Sequence, residues 1–68
     1  MKDHSGKMII EIEDVVYLLN RSKSTAARHL QKIRRELGKP PRAYILVLEF
    51  ADFNRWPEEY VMRRLRDR

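Results

Sequence analysis

Residues 10–37 read IEIEDVVYLLNRSKSTAARHLQKIRREL, and the spacing of apolar residues in this stretch decides the fold. Ile12, Val15, Val16 and Leu19 recur at i, i+3, i+4 and i+7, the stripe of a short amphipathic helix. Glu11, Glu13 and Asp14 fall in its first turn, where negative charge complements the helix dipole. Asn20 tolerates the left-handed conformation that ends a helix. Asn20-Arg21-Ser22 then reads as a tight turn, with Ser22 as an N-cap whose hydroxyl reaches the amides of the next turn. A second helix is predicted over Lys23–Leu37, with Ala26, Leu30, Ile33 and Leu37 facing inward. Gly38 closes it as a C′ residue, and Pro40-Pro41 prevents its continuation.

Two helices joined by such a short turn, with a small residue early in the second, form a helix-turn-helix. Ala26 is the small residue that lets the helices cross closely. With Ala26 at 0° and about 100° per residue, Leu30, Ile33 and Leu37 fall within about 40° of it. Ser24, Arg28, Gln31, Lys32 and Arg35 fall opposite, at about 140–240°, with no acid among them. In the DNA-binding form of this motif, the N-terminal part of the second helix faces base edges in the major groove. Chemistry then suggests roles. Arg28 suits bidentate contact with guanine and Gln31 with adenine, while Ser24 allows close approach and Ala27 suits a thymine methyl. Ser22 and Thr25, at the helix N-terminus, and the cations Lys23, Lys32 and Arg35 suit phosphates. Lys39 and Arg42 flank the Pro-Pro turn, where a loop would lie along the backbone or in the minor groove. Each also has a plainer role: Ser22 is a cap, and Arg35 has Glu36 and Asp52 as surface ion-pair candidates.

The rest of the chain is read more coarsely. Residues 1–7 are polar and are expected to form a flexible terminus. Met8-Ile9-Ile10 is a short strand candidate, and Ala43–Val47 is a β-favouring run. Leu48, Phe50, Ala51 and Phe53 suggest another short helix ending at Asn54-Arg55. A last helix is expected over Pro57–Arg66, with Pro57 at its first position and Tyr60, Val61, Arg64 and Leu65 along one side. The fold class is thus mainly α, a small winged-helix-like helix-turn-helix domain over residues 8–68 with a minor two-strand element, in the order β-α-α-β-α-α. VYLLNRS at residues 16–22 and FADFNRW at 50–56 form a faint repeat with a spacing of 34. It implies a first helix-turn-helix at residues 12–37 and a second such unit at 47–66, of which only the first is basic.

Charge agrees with that division. The 68 residues carry 15 Lys and Arg against 10 Asp and Glu, a net charge of +5. Residues 1–20 balance to −2, residues 21–42 to +7 and residues 43–68 to zero. The whole basic excess therefore lies on the second helix and the loop after it, which points to a polyanion.

Residues 10–37 resemble small helix-turn-helix proteins of the excisionase and MerR-like group, carried by phages, plasmids and integrative elements. The resemblance rests on the short apolar helix, the Ser22-Lys23-Ser24-Thr25-Ala26 turn and the basic second helix, and extends over about residues 9–66. Ala43–Phe53 is similar to the group's strand leading into a helix. Glu11 departs from the group's usual Thr or Ser cap, and Gly38–Arg42 is short for a full wing. The resemblance implies sequence-specific binding of double-stranded DNA, with a part in transcription regulation or as a recombination accessory factor. The partners it implies are duplex DNA and a recombinase or other DNA-bound protein.

Other classes find little support. No Cys is present, so a disulfide framework and thiolate metal sites are excluded. The histidines are His4 and His29 alone, with no HxxxH and no Gly-rich phosphate loop, so no enzymatic activity and no cofactor or metal are expected. His29 is expected to pack beside the first helix. No run approaches the roughly 20 apolar residues of a membrane span, and the N-terminus lacks the apolar core of a signal peptide, so a cytoplasmic, nucleoid-associated location is expected. The competing reading is a protein-interaction module using Tyr17 and Trp56 as exposed aromatics. A homodimer is an expected partner state for the DNA reading, because one helix-turn-helix gives a small DNA interface and paired half-sites enlarge it. Trp56 is equally readable as a cover for the small core.

Overall fold

The computed structural model describes residues 9–67. The expected flexible terminus at residues 1–7, the Met8 start of the first strand, and Arg68 lie outside the described residues. Within them the elements are β1 (Ile9–Ile10), α1 (Ile12–Leu19), α2 (Lys23–Glu36), β2 (Ile45–Leu46), α3 (Val47–Asn54) and α4 (Glu58–Arg66). The order is β-α-α-β-α-α, mainly helical, with one two-stranded antiparallel sheet. None of the described helices is long and apolar enough to cross a membrane.

The start of α1 is set by a carboxylate. Glu11 takes the N-cap position in place of Ser or Thr, and the Asp14 carboxylate accepts the Glu11 N–H at 2.8 Å. This is the reciprocal half of a capping box. Asp14 is held at 2% exposure by that role. α3 begins in the same way, the Leu46 N–H donating to Glu49 Oε1 at 2.9 Å. At α2 the cap is the predicted one: Ser22 Oγ accepts the Thr25 N–H at 3.2 Å.

Two of the described helices are closed by a left-handed side-chain-bearing residue, and α2 is followed, after Leu37, by the left-handed Gly38. Asn20 closes α1 with φ 55°, and Arg55 closes α3 with φ 61°. Gly38, at φ 70°, donates its N–H to the Arg35 carbonyl, and Lys39 donates to Arg34 at 2.8 Å. That pair of bonds satisfies carbonyls the helix leaves open. After Arg55, the Trp56 N–H reaches the Ala51 carbonyl at 2.9 Å, and the indole packs edge-on against Phe50. Trp56 therefore covers the core, as its apolar bulk favoured.

One core unites the elements. Val15 and Leu18 of α1, Ala26, Leu30 and Ile33 of α2, Ile10 and Ile45 of the strands, Val47, Phe50 and Ala51 of α3, and Val61 of α4 are all buried. Fully burying a large apolar side chain contributes about 1.5–3 kcal/mol. α1 packs on α2, α3 on α4, and α4 also on α1. Strands β1 and β2 pair Ile10 with Ile45 and Ile9 with Leu46. The two β-α-α units thus meet through their strands.

Several expectations are corrected. The second strand spans only Ile45–Leu46, because Val47 already turns into α3 once Glu49 caps it. Pro57 precedes α4 as its cap rather than occupying its first helical position. α2 stops at Glu36, and Leu37, expected in the apolar stripe, is 46% exposed because the last turn runs past the core. The repeat is also one residue out of register. Asn20 and Asn54 align by sequence, but the structural counterpart of Asn20 is Arg55, the other left-handed residue, and Asn54 is still helical. Among the described residues, the loop between α2 and β2 forms no strand pair of its own, so no hairpin wing is built there.

Candidate nucleic-acid interface

The three-residue turn Asn20–Ser22 delivers the start of α2 to the surface. Burial of Ala26, Leu30 and Ile33 then fixes which way the helix turns its polar side. Ser24, Arg28, Gln31, Lys32 and Arg35 are all exposed, so the five outward positions predicted from the wheel form one surface. Ser22, Lys23 and Arg42 are exposed as well, and Thr25 and Ala27 are half-buried on the flanks.

The start of α2 is preorganised by hydroxyls. Ser22 Oγ–H donates to Thr25 Oγ1 at 3.1 Å, while Thr25 donates its own amide to Ser22 Oγ. Arg28 Nη2 lies 3.5 Å from Thr25 Oγ1, a long contact that leaves most of the guanidinium's donors open. Among the described residues, Arg28, Lys32 and Arg35 have no ion-pair partner, and Arg35 pairs with neither Glu36 nor Asp52.

Two of the cations in the basic segment serve the fold instead. Arg34 Nε donates to the Ala43 carbonyl at 2.7 Å. Lys39 Nζ donates to the Tyr44 carbonyl at 2.9 Å and pairs with Glu49 Oε1 at 2.6 Å. Lys39, predicted as a phosphate contact, is thus placed as a strap between the loop and the start of α3, apart from the surface formed by α2. The Glu49 carboxyl sits below its ordinary value, first because the Leu46 amide donates to it and then because of Lys39. Gln31 Nε2 reaches the Pro41 carbonyl at 3.4 Å, which lays the Pro-Pro turn along the outward side of α2. Arg42 follows directly on that turn. Six exposed cations therefore remain from the basic segment: Arg21, Lys23, Arg28, Lys32, Arg35 and Arg42. Arg21 was not among the residues singled out from sequence, although it is exposed. Its signal was available in the charge count, but its placement, exposed beside the Ser22 cap, depends on the left-handed Asn20.

His29 turns the other way, and against a different helix from the one expected. Its Nε2 lies 3.0 Å from Asn54 Oδ1 of α3, and its ring meets Phe50 and Phe53 edge-on. Asn54 Nδ2 donates to the Phe50 carbonyl at 3.0 Å, so Oδ1 accepts and His29 carries its proton on Nε2. Groups of His, Cys, Asp and Glu able to hold a metal are absent among the described residues.

The aromatic residues proposed for a protein interface are not exposed. Tyr17 is half-buried under Arg64, whose guanidinium stands 5.1 Å from its ring centre and donates to the Tyr60 hydroxyl at 2.9 Å. Hydrogen bonds to the Tyr17 and Tyr60 hydroxyls hold Arg64 further towards its charged form. Trp56 lies between Phe50 and Tyr60. The large apolar residues that do face solvent include Tyr44 at 70%, with Leu46 and Leu48 nearby in the chain.

Comparison of the chain with protein-family models, curated proteins and solved structures finds no match.

Proposed function

We propose that this chain binds double-stranded DNA, laying the outward face of α2 in the major groove. The observation that carries the reading is the exposed row Ser24, Arg28, Gln31, Lys32 and Arg35, free of acids and of ion-pair partners among the described residues. The buried Ala26-Leu30-Ile33 side leaves all five facing outward. Arg28 and Gln31, with Ser24 and Ala27, are the base-reading set. Ser22, Lys23, Thr25, Lys32, Arg35 and Arg42 hold phosphates. Lys39 is left out because Glu49 already holds it. The resemblance to excisionase and MerR-like proteins supports the same reading and suggests a small transcription regulator or recombination accessory factor, working without chemistry of its own beside another DNA-bound protein.

The test is the salt dependence of duplex binding, read by fluorescence anisotropy. Lys23, Lys32, Arg35 and Arg42 as phosphate contacts give a slope of log K against log salt of about −3.6. Raising salt from about 50 to 200 mM then weakens binding about 150-fold. The competing reading, a protein-interaction module without DNA, draws on exposed Tyr44, Leu46 and Leu48. It predicts no duplex binding even at low salt.

A further inference from the structure

The outward side of α4 carries a pattern that the DNA reading does not use. Glu58 and Glu59 are exposed in its first turn, Arg63 and Arg66 are exposed in its last, and Met62 between them is half-buried. These residues line an open, shallow depression. With Val61 pointing into the core, Glu59, Met62, Arg63 and Arg66 share a strip about 100° wide on the opposite side. Acid stands at one end of that strip and base at the other.

The charges do not satisfy one another within the chain. Glu59 and Arg63 stand at i and i+4, the spacing at which such side chains pair on one helix. Yet among the described residues neither they nor Glu58 and Arg66 form an ion pair. The complement of this strip is the same strip reversed.

We propose that α4 pairs antiparallel with α4 of a second copy of this chain about a two-fold axis. Glu59 then faces the partner's Arg66, Met62 faces the partner's Arg63, and both contacts occur twice, as an isologous interface requires. Antiparallel alignment also opposes the helix dipoles favourably. α4 packs on α1 and α3 through its other side. A nine-residue helix is about 13.5 Å long, so the interface is small and the association concentration-dependent. The inference does not depend on the DNA reading, and its test contains no DNA.

The experiment is sedimentation equilibrium of the full chain from low micromolar to millimolar concentration. The average mass is expected to rise from 8.3 kDa towards twice that value. Glu59→Arg alone and Arg66→Glu alone are expected to stay at 8.3 kDa, and the two combined to restore the rise. Both positions are solvent-facing, and circular dichroism confirms that each variant is folded. A mass of 8.3 kDa throughout overturns the proposal. So does association unchanged in both single reversals. A rise abolished by Tyr44→Ser but not by the reversals assigns the contact to the β2 surface and overturns it equally.

Discussion

Ala26→Leu tests the step on which the presentation of α2 depends. Ala26 is 0% exposed within the core that α1 and α2 share, so nothing there is open to solvent. A leucine adds three carbon atoms. Were space available, their burial would stabilise by about 0.8 kcal/mol each, roughly 2.4 kcal/mol in all. At a close helix crossing the added atoms instead push the helices apart or force poor rotamers, which costs about 1–3 kcal/mol. A chain of this size has about 3–10 kcal/mol to lose. The substitution should therefore lower the melting temperature by roughly 4–24 °C. Ala27→Leu is the control, because Ala27 is only half-buried one position further round and should change stability by less than about 0.5 kcal/mol. Urea and thermal unfolding followed by circular dichroism measure both. Equal losses in the two variants, or a gain from Ala26→Leu, would refute the claim that Ala26 sets the α1–α2 distance.

Arg28→Ala should flatten the preference among duplex sequences, whereas Lys32→Ala should weaken all duplexes alike and reduce the salt slope by about 0.9; competition binding with two unrelated duplexes distinguishes the roles. Glu49→Gln should lose the pH dependence that the Leu46–Glu49–Lys39 junction gives the wild type. The Glu49 carboxyl lies below its ordinary value in the folded chain. Its contribution is therefore complete above that ordinary value and fades as pH falls through the lowered one, so the wild-type and variant stabilities should converge in acid. Gly38→Ala should cost about 1 kcal/mol by urea unfolding, from backbone strain at φ 70° alone, since nothing lies within 4 Å of the added methyl. Arg55→Gly should be neutral or stabilising at the matching left-handed position after α3.

Much of the fold is legible in residues 12–37 because a 3.6-residue period and a serine cap are local signals. Ile12–Leu19 and Lys23–Glu36 follow from them almost to the residue. What was illegible depends on contacts between distant residues. Leu37 continues the stripe of α2, but whether its turn meets the core depends on where α3 lies. Tyr17 falls off the stripe of α1, yet it packs against the core and lies under Arg64 of α4. His29 faces Asn54 and Phe53, residues 25 and 24 positions away, which no local pattern connects to it. The outward face of α2 was readable because it is the complement of a buried stripe. The engagement of Lys39, expected on phosphate from the loop after α2, was not, since it is spent on the Tyr44 carbonyl and on Glu49.

The most direct test of the account is an amide-resolved NMR titration of the folded chain with a short duplex at low salt. Shifts concentrated in residues 21–35 and around Arg42, with α4 and the Tyr44–Leu48 surface little changed, are the predicted result. Shifts centred on Tyr44, Leu46 and Leu48, or none at saturating duplex, would contradict the placement of α2 in the groove.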